Sequence, residues 1–197
     1  VDYDNDLDLD LFLTDYSSVN RLFRNDGGSS FASVSAGALT TSMNAINATW
    51  ADYDNDGDQD LYISNTSTEI AQSNRWWTNM GGVQGMTIGY YVDQTSTRWS
   101  GLGGAGSSIA PSQLLPGEGF IDFSCDCDFG DLDNDGDLDL VHSTYGGDFG
   151  GQLPTRIFLN DGAGIFTEFN PSGYQLTGQL INNGNPGLWC EGTQSAN

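Results

Sequence analysis

Apolar and polar residues alternate along several short stretches of the chain. In the first part, the alternation covers Leu9–Thr14, Asn20–Asn25 and Ser30–Val34, and Asp-Gly-Gly at 26–28 separates the second stretch from the third. A period of two with turn residues between the runs predicts antiparallel strands joined as a β-meander. No stretch has the 3.6-residue period of a helix, so the predicted class is all-β.

The same order of motifs occurs three times. We place the units at approximately 1–36, 48–82 and 121–170, within a single repeat domain that spans 1–197. A Gly/Ser-rich insertion, 83–120, separates the second unit from the third and includes a predicted strand at Gly85–Val92. A C-terminal strand segment occupies 171–197. Repeated units of a few short strands are typical of propeller blades, so we predict three visible β-propeller-type blades and allow a degenerate fourth in the insertion.

An acidic loop stands at the start of each unit, directly before an apolar strand. Each loop has nine residues with aspartate at every second position: Asp2, Asp4, Asp6, Asp8 and Asp10; Asp52, Asp54, Asp56, Asp58 and Asp60; Asp131, Asp133, Asp135, Asp137 and Asp139. So many carboxylates in one loop repel one another unless a cation lies between them. Ca²⁺ takes six to eight oxygen ligands in an adaptable shell, so we predict about three Ca²⁺ sites.

These loops resemble those of the FG-GAP/VCBS repeat family. The resemblance rests on the pattern DxDxDGDxDLxxxN and on the following NRLFRNDGG. It implies calcium-binding blades like those of integrin α-subunit propellers and of many bacterial extracellular proteins. It also implies that loop positions 1, 3, 5 and 9 bind the ion through side chains. Position 7, which is Asp8, Asp58 or Asp137, would bind through its carbonyl.

The sixth position of the loop distinguishes the first site from the others. Gly57 and Gly136 occupy it in the second and third loops, where glycine adopts a left-handed conformation at little cost. The first loop has Leu7, for which that conformation costs about 1 kcal/mol. We therefore predict that the first site is the weakest. An EF-hand is excluded because position 12 is Leu13, Ile63 or His142 rather than an acidic residue.

The charge of the chain excludes two classes of partner. Acidic residues number 27 against 5 basic ones, all arginine, and the formal net charge is -22. Such a chain repels nucleic acid and anionic membrane surfaces. No apolar run reaches the roughly 18 residues of a spanning helix, so no membrane insertion is expected. We interpret the chain as the mature form or a part of an extracellular or cell-surface protein.

Three cysteines and two sequons bear on export. A disulfide of Cys125 or Cys127 with Cys190 is expected, which leaves one thiol over. Asn47 and Asn65 begin N-glycosylation sequons and are candidate glycan sites in an exported chain.

The equivalent arginines Arg21, Arg75 and Arg156 precede an apolar strand in their units. We expect each of them to bind a neighbouring loop carboxylate.

Candidate catalytic residues are lacking. His142 is the only histidine, and its place on a strand predicts a structural role. No serine or cysteine lies near a convincing base, so we predict no catalytic residues and a non-enzymatic protein. Trp76 and Trp77 are predicted core residues. Trp99, in the Gly-rich insertion, is the candidate ligand-binding residue.

The ends of the sequence suggest a further hypothesis. A strand enters the second and third loops at Trp50 and Phe129, whereas the first loop has none before it. Residues 186–191 resemble such an entering strand, with Trp189 in the place of Trp50. The chain could be a fragment of a longer propeller, or a hidden fourth blade could close it. Alternatively, the spare strand could complete the first blade of the next molecule.

The function predicted from these observations is extracellular calcium binding for adhesion, for binding a protein or carbohydrate ligand, or for surface assembly. One alternative is a filament subunit that self-associates head-to-tail into a homopolymer. The other is the propeller domain of a polysaccharide-degrading enzyme.

Overall fold

The first sheet follows the first acidic loop. The computed structural model describes residues 1–28, 30–66, 72–105, 107–109, 111–122, 124–144 and 155–169. The first sheet is a three-stranded antiparallel meander of β1 (Leu11–Leu13), β2 (Arg21–Asn25) and β3 (Phe31–Val34). Its strands lie within the three alternating stretches, and turn residues separate the stretches from one another. Leu22 of β2 is fully buried, whereas Leu11, Leu13 and Phe31 are exposed.

The second sheet adds a strand before its loop. It is the four-stranded antiparallel meander of β4 (Ala45–Ala51), β5 (Asp60–Asn65), β6 (Arg75–Asn79) and β7 (Tyr91–Asp93). The acidic loop connects β4 to β5, as predicted from the position of Trp50. The strand predicted at Gly85–Val92 is wrong in its extent. A 3₁₀ turn, Gly82–Gln84, and further turns precede β7, since Gly85 and Gly89 have left-handed φ angles of 82° and 84°.

The insertion after β7 contains two small elements. One is the strand β8 (Trp99–Ser100), and the other is a hairpin of β9 (Leu114–Leu115) and β10 (Gly119–Phe120), preceded by a 3₁₀ turn. In the described residues of the insertion, these strands do not form the degenerate fourth blade that the sequence allowed. β8 instead joins the third sheet.

The third sheet contains five strands. β11 (Ser124–Gly130), β12 (Asp139–Thr144), β13 (Arg156–Asn160) and β14 (Phe166–Glu168) form an antiparallel meander, and β8 pairs with β14 in parallel. The third acidic loop connects β11 to β12, as the second connects β4 to β5. The insertion therefore closes the outer edge of the third sheet.

Two cores lie between successive sheets. The core between the first and second sheets includes Leu22, Leu61 and Trp77. The core between the second and third sheets is aromatic: the rings of Trp76 and Phe166 stack with centroids 4.1 Å apart. Sheets that pack face to face in chain order are the arrangement of neighbouring propeller blades, so the predicted all-β, blade-type fold is confirmed. In the described part of the chain, no helix is long and apolar enough to span a bilayer.

Trp99 belongs to this aromatic core. Its ring centroid lies 5.1 Å from that of Trp76 and 4.9 Å from that of Phe158. Trp76 and Trp77 are buried, as predicted. The structure thus gives Trp99 a packing role at the point where the insertion joins the blades, rather than placing its ring on an open loop.

A polar network lies beside the aromatic core. Asp122 is fully buried and accepts hydrogen bonds from His142 Nε2 at 3.0 Å and Arg156 Nη1 at 2.8 Å. The other ring nitrogen of His142 lies 3.2 Å from the hydroxyl of Tyr62. Burial alone raises the pKa of Asp122, but His142, Arg156 and a hydrogen bond from Ser124 outweigh it and hold the pKa below its ordinary value. The only histidine of the chain thus lies in a buried hydrogen-bond network, in line with the structural role predicted for it.

The cysteines of β11 have different states. Cys125 is disulfide-bonded, whereas Cys127 is a free and buried thiol. Cys190 and the spare strand predicted at 186–191 lie outside the described residues. The C-terminal segment 171–197 does as well.

The two sequon asparagines are engaged within the fold. Asn65 is fully buried and donates a 2.7 Å hydrogen bond to the carbonyl of Ser73. The amide of Asn47 donates to the carboxylate of Asp126 and, at 3.3 Å, to the carbonyl of Cys127, which joins β4 to β11. Both amides are thus hydrogen-bonded in the folded protein, and glycosylation at Asn47 and Asn65 stays a prediction.

Candidate metal centres

The three acidic loops share one backbone conformation at two positions. We number the loop residues 1 to 9, for Asp2–Asp10, Asp52–Asp60 and Asp131–Asp139. The asparagine at position 4 has a φ between 57° and 63° in all three loops. At position 6, φ is 94° and 99° for Gly57 and Gly136, and 75° for Leu7. Leu7 thus adopts the strained conformation that the sequence predicted, with its side chain 92% exposed.

The carboxylate at position 1 holds the loop in this turn. The side chains of Asp2, Asp52 and Asp131 each accept hydrogen bonds from the backbone N–H groups of positions 5 and 6. The donor–acceptor distances lie between 2.9 and 3.2 Å. Position 1 therefore closes the loop without any contribution from the rest of the blade.

The carboxylate at position 5 also accepts a hydrogen bond from the backbone of its own loop. Oδ1 of Asp6, Asp56 and Asp135 accepts the N–H of position 7 at 2.9, 2.9 and 3.0 Å. In the second loop, Gln84 also donates its amide to Asp56 Oδ2. This bond shows that the 3₁₀ turn after β6 packs on the loop.

The carboxylate at position 9 ties the loop to its sheet. Asp10, Asp60 and Asp139 are all buried, and each accepts the N–H of position 2 through Oδ2. Oδ1 of each accepts the backbone N–H of the asparagine that ends the next strand. These asparagines are Asn25, Asn79 and Asn160. The loop and the first hairpin of a blade are thereby one hydrogen-bonded unit.

Carboxylate oxygens converge in each loop. In the second and third loops, one oxygen each from positions 1, 3 and 9 lies within 4.8 Å of the others, while in the first loop positions 1, 3 and 5 do so. At position 3, Oδ1 of Asp4 and of Asp54 is buried and has no hydrogen-bond partner. A buried, unpaired carboxylate oxygen is costly, and a cation between the converging groups would satisfy it. The residues present fit a Ca²⁺ ion.

The electrostatics of the loops agree with a cation site. Burial first, then the negative charge of Asp54, raises the pKa of Asp60 to about 9, although a backbone hydrogen bond from Asn79 opposes the rise. Burial, then Asp56, raise the pKa of Asp54 to about 6, although Arg98 opposes the change. Burial first, then neighbouring carboxylates, also raises the pKa of Asp4 and of Asp133. These four carboxylates are thus harder to ionise than an ordinary aspartic acid, and a divalent cation would reverse that cost.

Position 7 uses its side chain for contact with the neighbouring loop. Asp58 Oδ1 accepts a 2.6 Å hydrogen bond from Asn5, and Asp137 Oδ1 accepts a 2.8 Å hydrogen bond from Asn55. The side chains of Asp8, Asp58 and Asp137 are not among the converging groups. The carbonyl of position 7 as a metal ligand stays a prediction.

Arg98 is a site residue that the sequence did not indicate. Nη2 donates to Asp54 Oδ2 at 2.9 Å and to Thr78 Oγ1 at 3.0 Å. Nη1 donates to the carbonyl of Ala163 at 3.0 Å, and the guanidinium lies 5.0 Å from the ring centroid of Tyr53. Arg98 thus links the second loop to the third blade from within the insertion. A lone arginine in a Gly-rich segment of a lysine-free chain was the only signal for it.

The prediction for the equivalent arginines is wrong. Arg156 pairs with Asp122, Arg75 pairs with Asp93 and Glu118, and Arg21 lies 3.9 Å from Asp15. None of these acidic residues belongs to an acidic loop. The arginines lie at the start of β2, β6 and β13, whereas the loops lie at the other end of those strands.

Comparison with known families agrees with this geometry. Residues 2–63 match the model of a family described as FG-GAP-like repeat. The matched residues span the first loop, the first sheet, the second loop and most of β5, so the resemblance noted from the sequence is confirmed over this part of the chain. Such repeats occur in extracellular proteins, often bind Ca²⁺ and are typically non-catalytic. No curated protein matches the chain.

Proposed function

We propose that the chain is a non-enzymatic, extracellular calcium-binding domain in which Ca²⁺ has a structural role. Adhesion, ligand binding or surface assembly would be its task. The observation that carries the proposal is the buried, unpaired Oδ1 of Asp4 and of Asp54 among carboxylates that converge within 4.8 Å. In each loop, side chains at positions 1, 3, 5 and 9 would hold the ion, together with the carbonyl of position 7.

Calcium would act by stabilising the first hairpin of each blade. The position-9 carboxylate bonds both the loop and the next strand, so an ion bound to it would fix the loop against the sheet. A ligand that binds only the folded chain raises its stability according to mass action. The proposal rests on the loops and requires no catalytic group; His142, the only histidine, is fully buried.

Removal of the ion tests the proposal. The melting temperature of the calcium-loaded protein should fall by many degrees in EDTA and return when excess Ca²⁺ is added. Mg²⁺ in excess over EDTA should restore it only partly, because Mg²⁺ demands a stricter octahedral shell. A melting temperature that is the same in EDTA and in Ca²⁺ would overturn the proposal.

A second candidate function is that of a filament subunit, and one observation favours it. β1 occupies the place in its sheet that β5 and β12 occupy in theirs, yet among the described residues no strand pairs with its outer edge, where β4 and β11 pair in the other sheets. Leu11 and Leu13 of β1 are 42% and 41% exposed. A strand from a second copy would cover this edge.

The proposed donor is the segment 186–191, which lies outside the described residues. Native mass spectrometry in Ca²⁺ tests this function. A ladder of head-to-tail oligomers that disappears when residues 186–191 are replaced by a Gly/Ser linker supports it. A single sharp monomer mass at every concentration rejects it.

A further inference from the structure

Neighbouring acidic loops are joined by a repeated pair of side chains. The amide of Asn5 donates to Asp58 Oδ1 at 2.6 Å, and the amide of Asn55 donates to Asp137 Oδ1 at 2.8 Å. In each pair the asparagine is position 4 of one loop and the aspartate is position 7 of the next. The same amides also donate at 3.3 Å to the carbonyls of Gly57 and Gly162. The same contact therefore occurs at both junctions between successive acidic loops.

The aspartate that accepts the bond lies between the asparagine of the preceding loop and a glycine of its own blade. Asp58 is only 3% exposed, and its carboxylate lies so close to Gly82 that a Cβ at this glycine would be 3.0 Å from Oδ2. Asp137 lies against Gly162 in the same way, with a corresponding distance of 2.5 Å. The bond from the preceding loop therefore helps to fix the position-7 aspartate. The backbone carbonyl of this residue is the proposed position-7 metal ligand.

The asparagine that donates the bond lies within the preceding site. Asn5 stands between Asp4 and Asp6, two of the converging carboxylates of the first loop. An ion bound there would order residues 4 to 6 and hold the amide of Asn5 in place. The second loop would then have less conformational entropy to lose when it binds its own ion.

On the basis of the proposed calcium binding, we propose that the three sites are coupled in a row through Asn5–Asp58 and Asn55–Asp137. Occupation of one site raises the affinity of the next, and by thermodynamic reciprocity occupation of the second raises the affinity of the first. Asn5 and Asn55 are positioning residues in this scheme and do not bind the ion through their amides.

The chain contains its own matched control. Asn134 has the same position in the third loop and a φ of 63°, close to the 57° and 58° of Asn5 and Asn55. Among the described residues, no hydrogen bond of its amide is found, and the side chain is exposed. Glycine accepts a left-handed φ, so Asn→Gly removes the amide at each of these positions without imposing backbone strain.

Calcium titration of the full chain by isothermal calorimetry tests the coupling. Wild type should bind with a Hill coefficient above 1, and Asn134→Gly should reproduce its isotherm. Asn5→Gly and Asn55→Gly should each weaken the calcium affinity of one site by about fivefold or more, which is the lower range of allosteric couplings. The double variant should bind Ca²⁺ with a Hill coefficient near 1. Asp2→Asn, which removes a first-site carboxylate, should weaken the second site by the same factor as Asn5→Gly, and the two changes together should not add.

The outcomes separate the coupling from the proposed function. Normal calcium binding with identical isotherms for Asn5→Gly and Asn134→Gly overturns the coupling and leaves calcium binding intact. Absence of calcium binding in wild type overturns both. Melting temperatures in EDTA give a second measurement. If Asn5→Gly lowers the melting temperature by as much in EDTA as in Ca²⁺, the bond only stabilises the fold. That result also overturns the coupling.

Discussion

The guanidinium of Arg98 donates a 2.9 Å hydrogen bond to Asp54, a residue 44 positions earlier in the chain. Both side chains are about nine-tenths buried, and only Oδ2 of the carboxylate is used. The remaining oxygen, Oδ1, is buried and has no hydrogen-bond partner, and Asp54 is one of the three converging carboxylates of the second loop. The arginine thus neutralises part of a candidate metal-binding carboxylate and fixes its orientation.

Replacement of Arg98 by methionine should destabilise the protein more in EDTA than in Ca²⁺. In EDTA, the change removes one partner of a buried ion pair, which costs about 3–5 kcal/mol in unfolding free energy. In Ca²⁺, the ion remains as a counter-charge and the loss should be smaller. Denaturant unfolding in the two buffers measures both values.

Arg75→Met is the matched control for this experiment. Arg75 pairs with Asp93 and Glu118 at the surface, and exposed pairs contribute about 0–1 kcal/mol. The assignment of Arg98 to the site would be rejected by an equal loss in the two buffers, or by a loss no greater than that of the control.

Leu7→Gly should stabilise the calcium-loaded protein. Leu7 has a φ of 75° and an almost fully exposed side chain, so glycine relieves about 1 kcal/mol of backbone strain and gives up little packing. For a chain of this size, that corresponds to a rise in melting temperature of about 2–4 °C. Scanning calorimetry in Ca²⁺ measures it. Leu9→Gly, also at an exposed leucine but outside the left-handed region, should bring no rise; equal effects of the two changes would show that strain at Leu7 is unimportant.

Asp122→Asn should destabilise the fold and also change its response to acid. Asp122 is buried among His142, Arg156, Ser124 and Asn74, and its neutral replacement removes the nearer of the two acidic partners of Arg156, leaving only Glu168 at 4.0 Å. Breaking a buried ion pair in this way costs about 3–5 kcal/mol at pH 7. The pKa of Asp122 is lowered in the folded protein. Its contribution is therefore complete above the ordinary aspartate pKa of about 3.9 and is lost as the pH falls through the lower folded value.

The stability difference between wild type and Asp122→Asn should therefore be constant near neutrality and shrink below about pH 4. Denaturant unfolding in EDTA at several pH values measures the difference while the metal sites are kept empty in both proteins. A difference that stays the same down to pH 2, or one that grows, would contradict a depressed pKa at Asp122.

The thiol of Cys127 should be inert in the folded protein. Burial, above all other effects, raises its pKa well above the ordinary value, and only the thiolate reacts with disulfide reagents. Dithionitrobenzoate should leave Cys127 unmodified in the native protein and should react with it in guanidinium, which peptide mass mapping of the labelled chain can distinguish. Rapid labelling of the native protein would contradict the burial of Cys127.

The sequence predicted those parts of the structure that are local in the chain. The period of two located most of the strands, and the spacing of the aspartates located the loops, because the carboxylates of one site lie within nine consecutive residues. The strain at Leu7 was predicted for the same reason. Each of these features depends on residues that are close in the sequence.

Contacts between distant segments were missed. Arg98 reaches Asp54 only because β8 pairs with the far edge of the third sheet, and no periodicity signals a two-residue parallel strand. The packing of Trp99 on the aromatic core follows from the same strand pairing, and its role in ligand binding stays a prediction. The equivalent arginines were assigned to the loops from their regular spacing, but that spacing does not show that loop and arginine lie at opposite ends of the strand.

The pairing of position 4 with position 7 has a consequence for how such proteins originate. Every acidic loop carries both halves of the contact, the donor asparagine and the acceptor aspartate. Duplication of the DNA that encodes one blade therefore produces a neighbour that is already complementary to its parent. Blade number can then change by unequal recombination, and no compensating mutation is needed at the new junction.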